Sequence, residues 1–233
     1  MIEFLFLDLD DTILDFHQAE AIAVAKTIRD FGVEPTPEVL ERYHEINRWH
    51  WEQLEQGKLT RDQVLVNRFS ALFSELGRQA DPVKCARSYE ANLSQGHYFL
   101  PGALETLEKL YGKYRLFLAS NGTATVQHSR LTSANLYRFF EQVFISQEVG
   151  FNKPSREFFE SCFARIPGFS RDRAMMVGDS LSSDIQGGIN AGITTVWVNP
   201  RGKQPGAVTP DYEIRSLPEL EELLKQLHRG KEG

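Results

Sequence analysis

The chain has 233 residues, 41% of them hydrophobic, enough for one large domain or for a core domain with a smaller insert. Its net charge of −6 argues against a nucleic-acid polymer as partner, which would call for a basic stripe, and suits an acidic site that recruits a divalent cation. Cys85 and Cys162 are the only cysteines and form no CxxC or Cys/His cluster, so neither a disulfide framework nor a zinc site is expected. The first residues lack a basic segment and a small-residue cleavage site, and their apolar run is far shorter than about 18 residues. The expected compartment is therefore the cytosol, with no membrane partner.

The first element is the run Ile2–Thr12, IEFLFLDLDDT, in which β-prone apolar residues stop abruptly at Asp8, Asp10 and Asp11. Such a run predicts a buried parallel strand over Glu3–Leu7, whose carboxyl end is where open α/β sheets place ligands. Asp11 or Thr12 could simply cap the next helix. Asp8 does not fit that reading, because it alternates with Asp10 on one side of an extended backbone. Buried carboxylates cost several kcal/mol each unless a cation, a proton or donors meet them.

From about Asp15 to Gln95 no strand is predicted. The stretch reads as four or five helices, broken at Gly32–Pro37, Gln56–Thr60 and Gly77–Pro82, with Thr36, Thr60 and Asp81 as N-caps. An all-helical insert after the first strand implies a separate cap over residues 15–99, with hinges near Asp15–His17 and Gly96–Gly102. Residues 1–14 and 100–233 form the α/β core. There, strands are predicted at Arg115–Ala119, Gln142–Ser146, Arg173–Val177 and Thr194–Val198. Helices are predicted at Gly102–Leu110, Thr125–Ala134, Ser155–Ala164, Ser183–Asn190 and Pro218–Leu227. This alternation implies a mostly parallel sheet with helices on both faces. The tail Gly230–Gly233 is expected to fray.

Four strand ends then face one crevice. They carry Asp8, Asp10 and Thr12; Ser120, Asn121 and Gly122 after RLFLA; Lys153 in FNKPS; and Asp179 and Asp184 in GDSLSSD. Singly, Ser120-Asn121-Gly122 could be a turn, Lys153 a solvated lysine before a Pro154 that starts a helix, and Asp179-Ser180 a helix cap. Together, and in this order, they form a site. Glycine-rich Gly187–Ile193 precedes a strand and lacks GxGxxG, which argues against a dinucleotide site. The six histidines show no HxxxH or HExxH spacing, and His17 and His128 read as helix-surface residues.

The segments DLDDT, ASNG, NKP and GDSLSSD resemble, in order, the four motifs of the haloacid dehalogenase-like superfamily of phosphatases. The resemblance covers the whole chain and includes the helical cap, placed as in the superfamily's first cap class. It implies a three-layer, Rossmann-like core and a phosphomonoester hydrolase. Asp8 matches the nucleophile, and an aspartate nucleophile splits hydrolysis into two displacements. Asp10 would protonate the leaving oxygen and then deprotonate the attacking water. Mg²⁺ is the expected cofactor, held by Asp8, the Asp10 carbonyl and Asp179, with Asp184 behind them holding a water or Lys153. Lys153 would neutralise nucleophile and phosphate. Ser120 with the amides of Asn121 and Gly122 would hold phosphoryl oxygens, and Thr12 would fix the loop that carries Asp10.

The cap would select the leaving group. In its second helix Leu40, Tyr43, Asn47, His50, Trp51 and Leu54 share one broad face, while Trp49 points roughly the other way. Trp49 and Phe16 are the aromatic candidates for stacking on a nucleobase. NRWHWEQLEQGKLT and SQEVGFNKP look like the branch that hydrolyses pyrimidine and related nucleoside 5′-monophosphates, so a small-molecule nucleotide is the expected partner of a monomer or homodimer. Phosphoglycolate and sugar-phosphate phosphatases share this core and cap class. A 2-haloacid dehalogenase needs neither Asp10 nor Mg²⁺, and a non-catalytic binding module should have lost a carboxylate or Lys153.

Overall fold

The alternation of FLFL decides the architecture. In strand β1 (Phe4–Leu7), Leu5 and Leu7 join one apolar cluster while Phe4 and Phe6 join another, so both faces of the strand are covered. The computed structural model describes residues 1–229; the expected frayed tail lies outside the described residues. The chain divides into two compact units, Phe16–Tyr98 and Met1–Asp15 with Phe99–Gly233.

The helical unit holds α1 (Phe16–Asp30), α2 (Pro37–Glu55), α3 (Arg61–Glu75) and α4 (Pro82–Leu93). The predicted caps are present. Thr36 accepts from the Val39 amide, Asp81 accepts from Val83 and Lys84, and Thr60 forms a capping box with Gln63. The rings of Tyr43, Phe69 and Tyr89 meet at 5.2–5.6 Å centroid separations. Buried Glu20 accepts from Asn47 Nδ2 at 2.5 Å, and Asn47 Oδ1 accepts from buried Arg68 at 2.8 Å. On α2, Tyr43, Ile46, Asn47, His50 and Leu54 are buried, whereas Trp49 is 53% exposed.

In the other unit β1 is followed by α5 (Ala103–Leu110), β2 (Arg115–Ser120), α6 (Ala124–Ser133), β3 (Gln142–Ile145), the single turn α7 (Ser146–Val149) and α8 (Arg156–Phe163). Then come β4 (Ala174–Gly178), α9 (Gln186–Ala191), β5 (Thr194–Val198), β6 (Tyr212–Ile214) and α10 (Glu219–Arg229). The six strands run in the order β3-β2-β1-β4-β5-β6, and every neighbouring pair is parallel. The leucine face of β1 packs with residues of α5 and α10, and the phenylalanine face with Phe158, Phe159, Cys162 and Phe163 of α8. This is an α/β fold of three layers.

α8 stands where it is expected, with Ser155 as its cap accepting from Phe158 N, so the alternative of a helix started by Pro154 falls away. Two local points differ from expectation. The helix expected at Ser183 begins at Gln186, after a wide π turn, Leu181–Ile185, in which both Asp184 N and Ile185 N donate to Ser180 O. β6 and α7 were not anticipated. Among the described residues no helix is long and apolar enough to cross a membrane.

Candidate active site

Strands β2, β1 and β4 are neighbours in register, so their carboxyl ends present Ser120, Asp8 and Gly178-Asp179 side by side. Asp8 follows the last residue of β1, and its amide still donates to Val177 O at 3.0 Å, continuing the pairing with β4. The chain then reverses. Asp11 adopts a left-handed backbone (φ 54°), which an aspartate tolerates better than most residues. The turn closes through Asp11 N donating to Leu14 O and through Ile13 N and Leu14 N donating to Leu9 O. The Thr12 hydroxyl is buried and has no hydrogen-bond partner among the described residues, so these backbone bonds and not Thr12 fix the loop.

Lys153 is buried and its ammonium makes three short bonds. It donates to Asp8 Oδ1 at 2.7 Å, Asp184 Oδ1 at 2.6 Å and the Ala119 carbonyl at 2.6 Å. Burial opposes its charge, but Asp184 and Asp8 outweigh that and hold the amine protonated above its usual range. Asn121 clamps the segment that delivers it: Oδ1 accepts from Lys153 N, and Nδ2 donates to Lys153 O and Ser183 Oγ. The side chain of Asn121 is thus committed to this loop.

Donor atoms of Asp8, Asp179 and Asp184 lie within 4.8 Å of one another. Burial pushes Asp8 up to about 8, Asp184 and Asp10 reinforce the shift, and Lys153 opposes it. Asp179 is likewise raised by burial and then by Asp184, Asp11 and Asp8. Three acids around one ammonium are short of positive charge, and a hard divalent cation fits that all-oxygen donor set. The roles within the cluster differ. Both Asp184 oxygens are engaged, by Lys153 and by Ser180 N at 3.1 Å. Asp8 receives its protein donor on Oδ1 alone among the described residues. A Cβ on Gly178 would fall on the Asp184 carboxylate, which explains why that position carries no side chain.

Sequence reasoning missed three contributors. Trp197 Nε1 donates to the Asp179 carbonyl at 2.8 Å. Gln127 Nε2 donates to Asp10 Oδ2 at 2.7 Å, and Arg130 Nη1 to Asp10 Oδ1 at 2.5 Å. The available signal was two polar residues at i, i+3 on the helix after ASNG. The fold brings together Asp8, Lys153, Asp179 and Asp184 in one cluster, and Asp10 and Ser120 in a second network through Gln127. Phe16, partly buried, and Trp49 belong to the helical unit. His128 is on the surface beside Glu148, as expected. His17 is not a simple surface residue: its ring lies tilted against that of His44 (centroids 4.1 Å, interplanar 35°), next to Glu20.

The chain belongs to the haloacid dehalogenase-like hydrolase family, whose model matches residues 5–198. It is 40% identical over 221 residues to the HAD-hydrolase YfnB of Bacillus subtilis, covering 94% of each chain. The crystal structure of YfnB bound to magnesium superposes with a TM-score of 0.91 over 96% of this chain and 98% of that one. The pyrimidine 5′-nucleotidase PynA of Streptococcus pneumoniae is 38% identical, covering 94% of this chain and 93% of PynA. The pyrimidine 5′-nucleotidase YjjG of Escherichia coli is 31% identical, covering 95% and 97%.

Proposed function

We propose that this hydrolase is a Mg²⁺-dependent phosphomonoesterase that acts through an aspartyl-phosphate on Asp8, with pyrimidine nucleoside 5′-monophosphates as its substrates. The observation that carries the reading is the Asp8 carboxylate itself. Lys153 orients it through Oδ1, while Oδ2 has no protein donor among the described residues. An oxygen so held can attack phosphorus in line, with the ammonium offsetting charge on nucleophile and phosphate. As the Asp8–P bond forms and the P–O ester bond breaks, the Asp10 carboxyl gives its proton to the leaving oxygen. In the second step Asp10 takes a proton from water, whose oxygen bonds to phosphorus as the Asp8–P bond breaks. Inorganic phosphate leaves, with Asp8 again a carboxylate and Asp10 again protonated.

Asp8, Asp179 and the Asp10 carbonyl would hold Mg²⁺, with Asp184 tying that group to Lys153. Bound there, the ion supplies charge neutralisation for the phosphate dianion. The magnesium-bound YfnB structure supports this choice. The Ser120 hydroxyl would donate to a phosphoryl oxygen, and the Gly122 amide would orient that hydroxyl through its bond to Ser120 Oγ at 3.1 Å. In the helical unit the exposed indole of Trp49, with Phe16, would stack on the base. The names of PynA and YjjG support the nucleotide class.

The test is phosphate release from a panel of nucleotides, sugar phosphates and phosphoglycolate, with Mg²⁺ and with excess chelator, for wild type and Asp8→Asn. Turnover on pyrimidine nucleotides that needs Mg²⁺ and falls by several orders of magnitude in Asp8→Asn is the expected result. Full activity in chelator contradicts the metal, near-normal Asp8→Asn contradicts the nucleophile, and preference for a sugar phosphate contradicts the substrate.

A further inference from the structure

Three side chains close a hydrogen-bonded ring beside the nucleophile. Arg130, fully buried, donates through Nη1 to both Asp10 Oδ1 (2.5 Å) and Gln127 Oε1 (2.9 Å). Gln127, also buried, spends its two amide hydrogens on Asp10 Oδ2 (2.7 Å) and Ser120 Oγ (2.9 Å). The amide has one workable orientation. Flipped, it would set its oxygen against the Asp10 carboxylate and its hydrogens against the guanidinium. Both residues come from α6, three positions apart and therefore on one face. Gly122 leaves the space for this arrangement, since a Cβ there would land on the Gln127 amide.

The ring has a consequence at each end. Asp10 is gripped through both oxygens, each keeping a lone pair that can carry or accept a proton. Its side chain cannot turn about χ1 without breaking both contacts. Ser120 Oγ accepts from Gln127 Nε2 and from Gly122 N at 3.1 Å, which occupies both of its lone pairs. Its own hydrogen is then the one bond it has left to give, and an anion is the partner that accepts it.

We propose that Gln127 and Arg130 are positioning residues, which hold Asp10 as the proton carrier and fix the Ser120 hydroxyl as a pure donor to the phosphoryl group. This rests on the phosphatase reading and the role of Asp10 above. Neither residue touches substrate. Gln127 is the element common to both tasks, so the group that meets the leaving oxygen and the group that meets the phosphate are set by one amide.

The test compares kcat/KM, which reports the first displacement and not the shared hydrolysis of the aspartyl-phosphate, for two substrates with the same phosphoryl group, 2,4-dinitrophenyl phosphate and an alkyl phosphate, in wild type, Asp10→Asn, Gln127→Met and Arg130→Lys. A dinitrophenolate leaves without a proton, whereas an alkoxide needs one. Effects through Ser120 act on the shared phosphoryl end and cancel in the ratio. Misplacing a catalytic group costs on the order of 10²-fold. Gln127→Met should lower both substrates through Ser120 and the alkyl phosphate by roughly that factor more than the dinitrophenyl ester, shifting the ratio in the direction of Asp10→Asn. Arg130→Lys, which keeps one charged donor, should shift it less. If Asp10→Asn shifts the ratio and Gln127→Met lowers both substrates equally, the inference is overturned while the mechanism stands. If Asp10→Asn leaves the ratio unchanged, the role given to Asp10 fails first and this inference with it. Should Arg130→Lys fail to fold, Gln127→Met alone decides, its melting temperature confirming the fold.

Discussion

Replacing Lys153 with Met keeps the apolar stem and deletes the one ammonium among Asp8, Asp179 and Asp184. Three charge-assisted bonds disappear, to Asp8, Asp184 and the Ala119 carbonyl. Hydrogen bonds to charged groups contribute about 1.5–3 kcal/mol each, so the gross loss is roughly 5–9 kcal/mol. Part is recovered. Burial already raises Asp8 and Lys153 opposes that rise, so without the lysine the carboxyl holds a proton more readily and the uncompensated charge is relieved. The net cost expected is about 3–5 kcal/mol, the range for breaking a buried ion pair from one side. For a chain of this size that is a fall in Tm of roughly 6–20 °C. The assay is a thermal melt in chelator followed by circular dichroism, repeated on Asp184→Leu and on the double variant. Lys153 and Asp184 are in contact, so the double variant should be more stable than the sum of the single losses predicts, by at least about 0.5 kcal/mol. A single-variant loss below about 1 kcal/mol, or strict additivity, would refute the idea that Lys153 is the counter-charge on which the cluster depends.

Gly178→Ala should drive a methyl group into the Asp184 carboxylate, costing about 1–3 kcal/mol and raising the Mg²⁺ concentration needed for half-maximal turnover; an unchanged melt and unchanged Mg²⁺ dependence would show that Asp184 can yield. In the helical unit the Glu20 hydrogen bond raises the His44 pKa, although burial opposes it. That contribution to stability is full below the unfolded value near 6.5 and is lost as pH rises through the higher folded value, so the Tm deficit of His44→Ala should be larger at about pH 5.5 than at about pH 9. A deficit that grows with pH would contradict the pairing. Trp49→Ala should raise KM for a pyrimidine nucleotide by the equivalent of about 1–3 kcal/mol and leave hydrolysis of a small aryl phosphate nearly intact, whereas equal changes on both would assign Trp49 to packing.

The parts of this molecule legible in the sequence are those that a short segment settles by itself. FLFL, buried on both sides, and the three N-caps depend on their own neighbours, and the structure has them where the pattern placed them. β6 was invisible because three residues, YEI, carry no period. It is located by bonds from distant chain, Thr195 N and Oγ1 to Asp211 and Asn199 Nδ2 to Glu213. The start of α9 was misplaced for a related reason. The bond from Ile185 N to Ser180 O widens the first turn, and Asp184 there receives bonds from Lys153 and Ser180 N that no local propensity encodes. In the site, the acids and Lys153 could be read from their places after strands. Gln127 and Arg130 could not, because a polar pair on a helix ordinarily faces water, and only the tertiary fold turns this one inward. The Thr12 hydroxyl shows the opposite failure, a polar group assigned a task that backbone bonds perform.

The stem at Leu14 and Phe99 has an implication for how such chains diversify. The two residues form an antiparallel bridge, and Leu100 N donates to Ile13 O at 3.0 Å, so the core's two cut ends already lie one hydrogen bond apart. Closing a loop across so narrow a gap costs little entropy, and that cost grows only slowly with the length of chain inserted. Residues 16–98 are in this sense a cassette. A recombination event could shorten, exchange or graft that stretch at one locus while the strand order of the remaining chain stayed intact, letting specificity and chemistry evolve at separate rates.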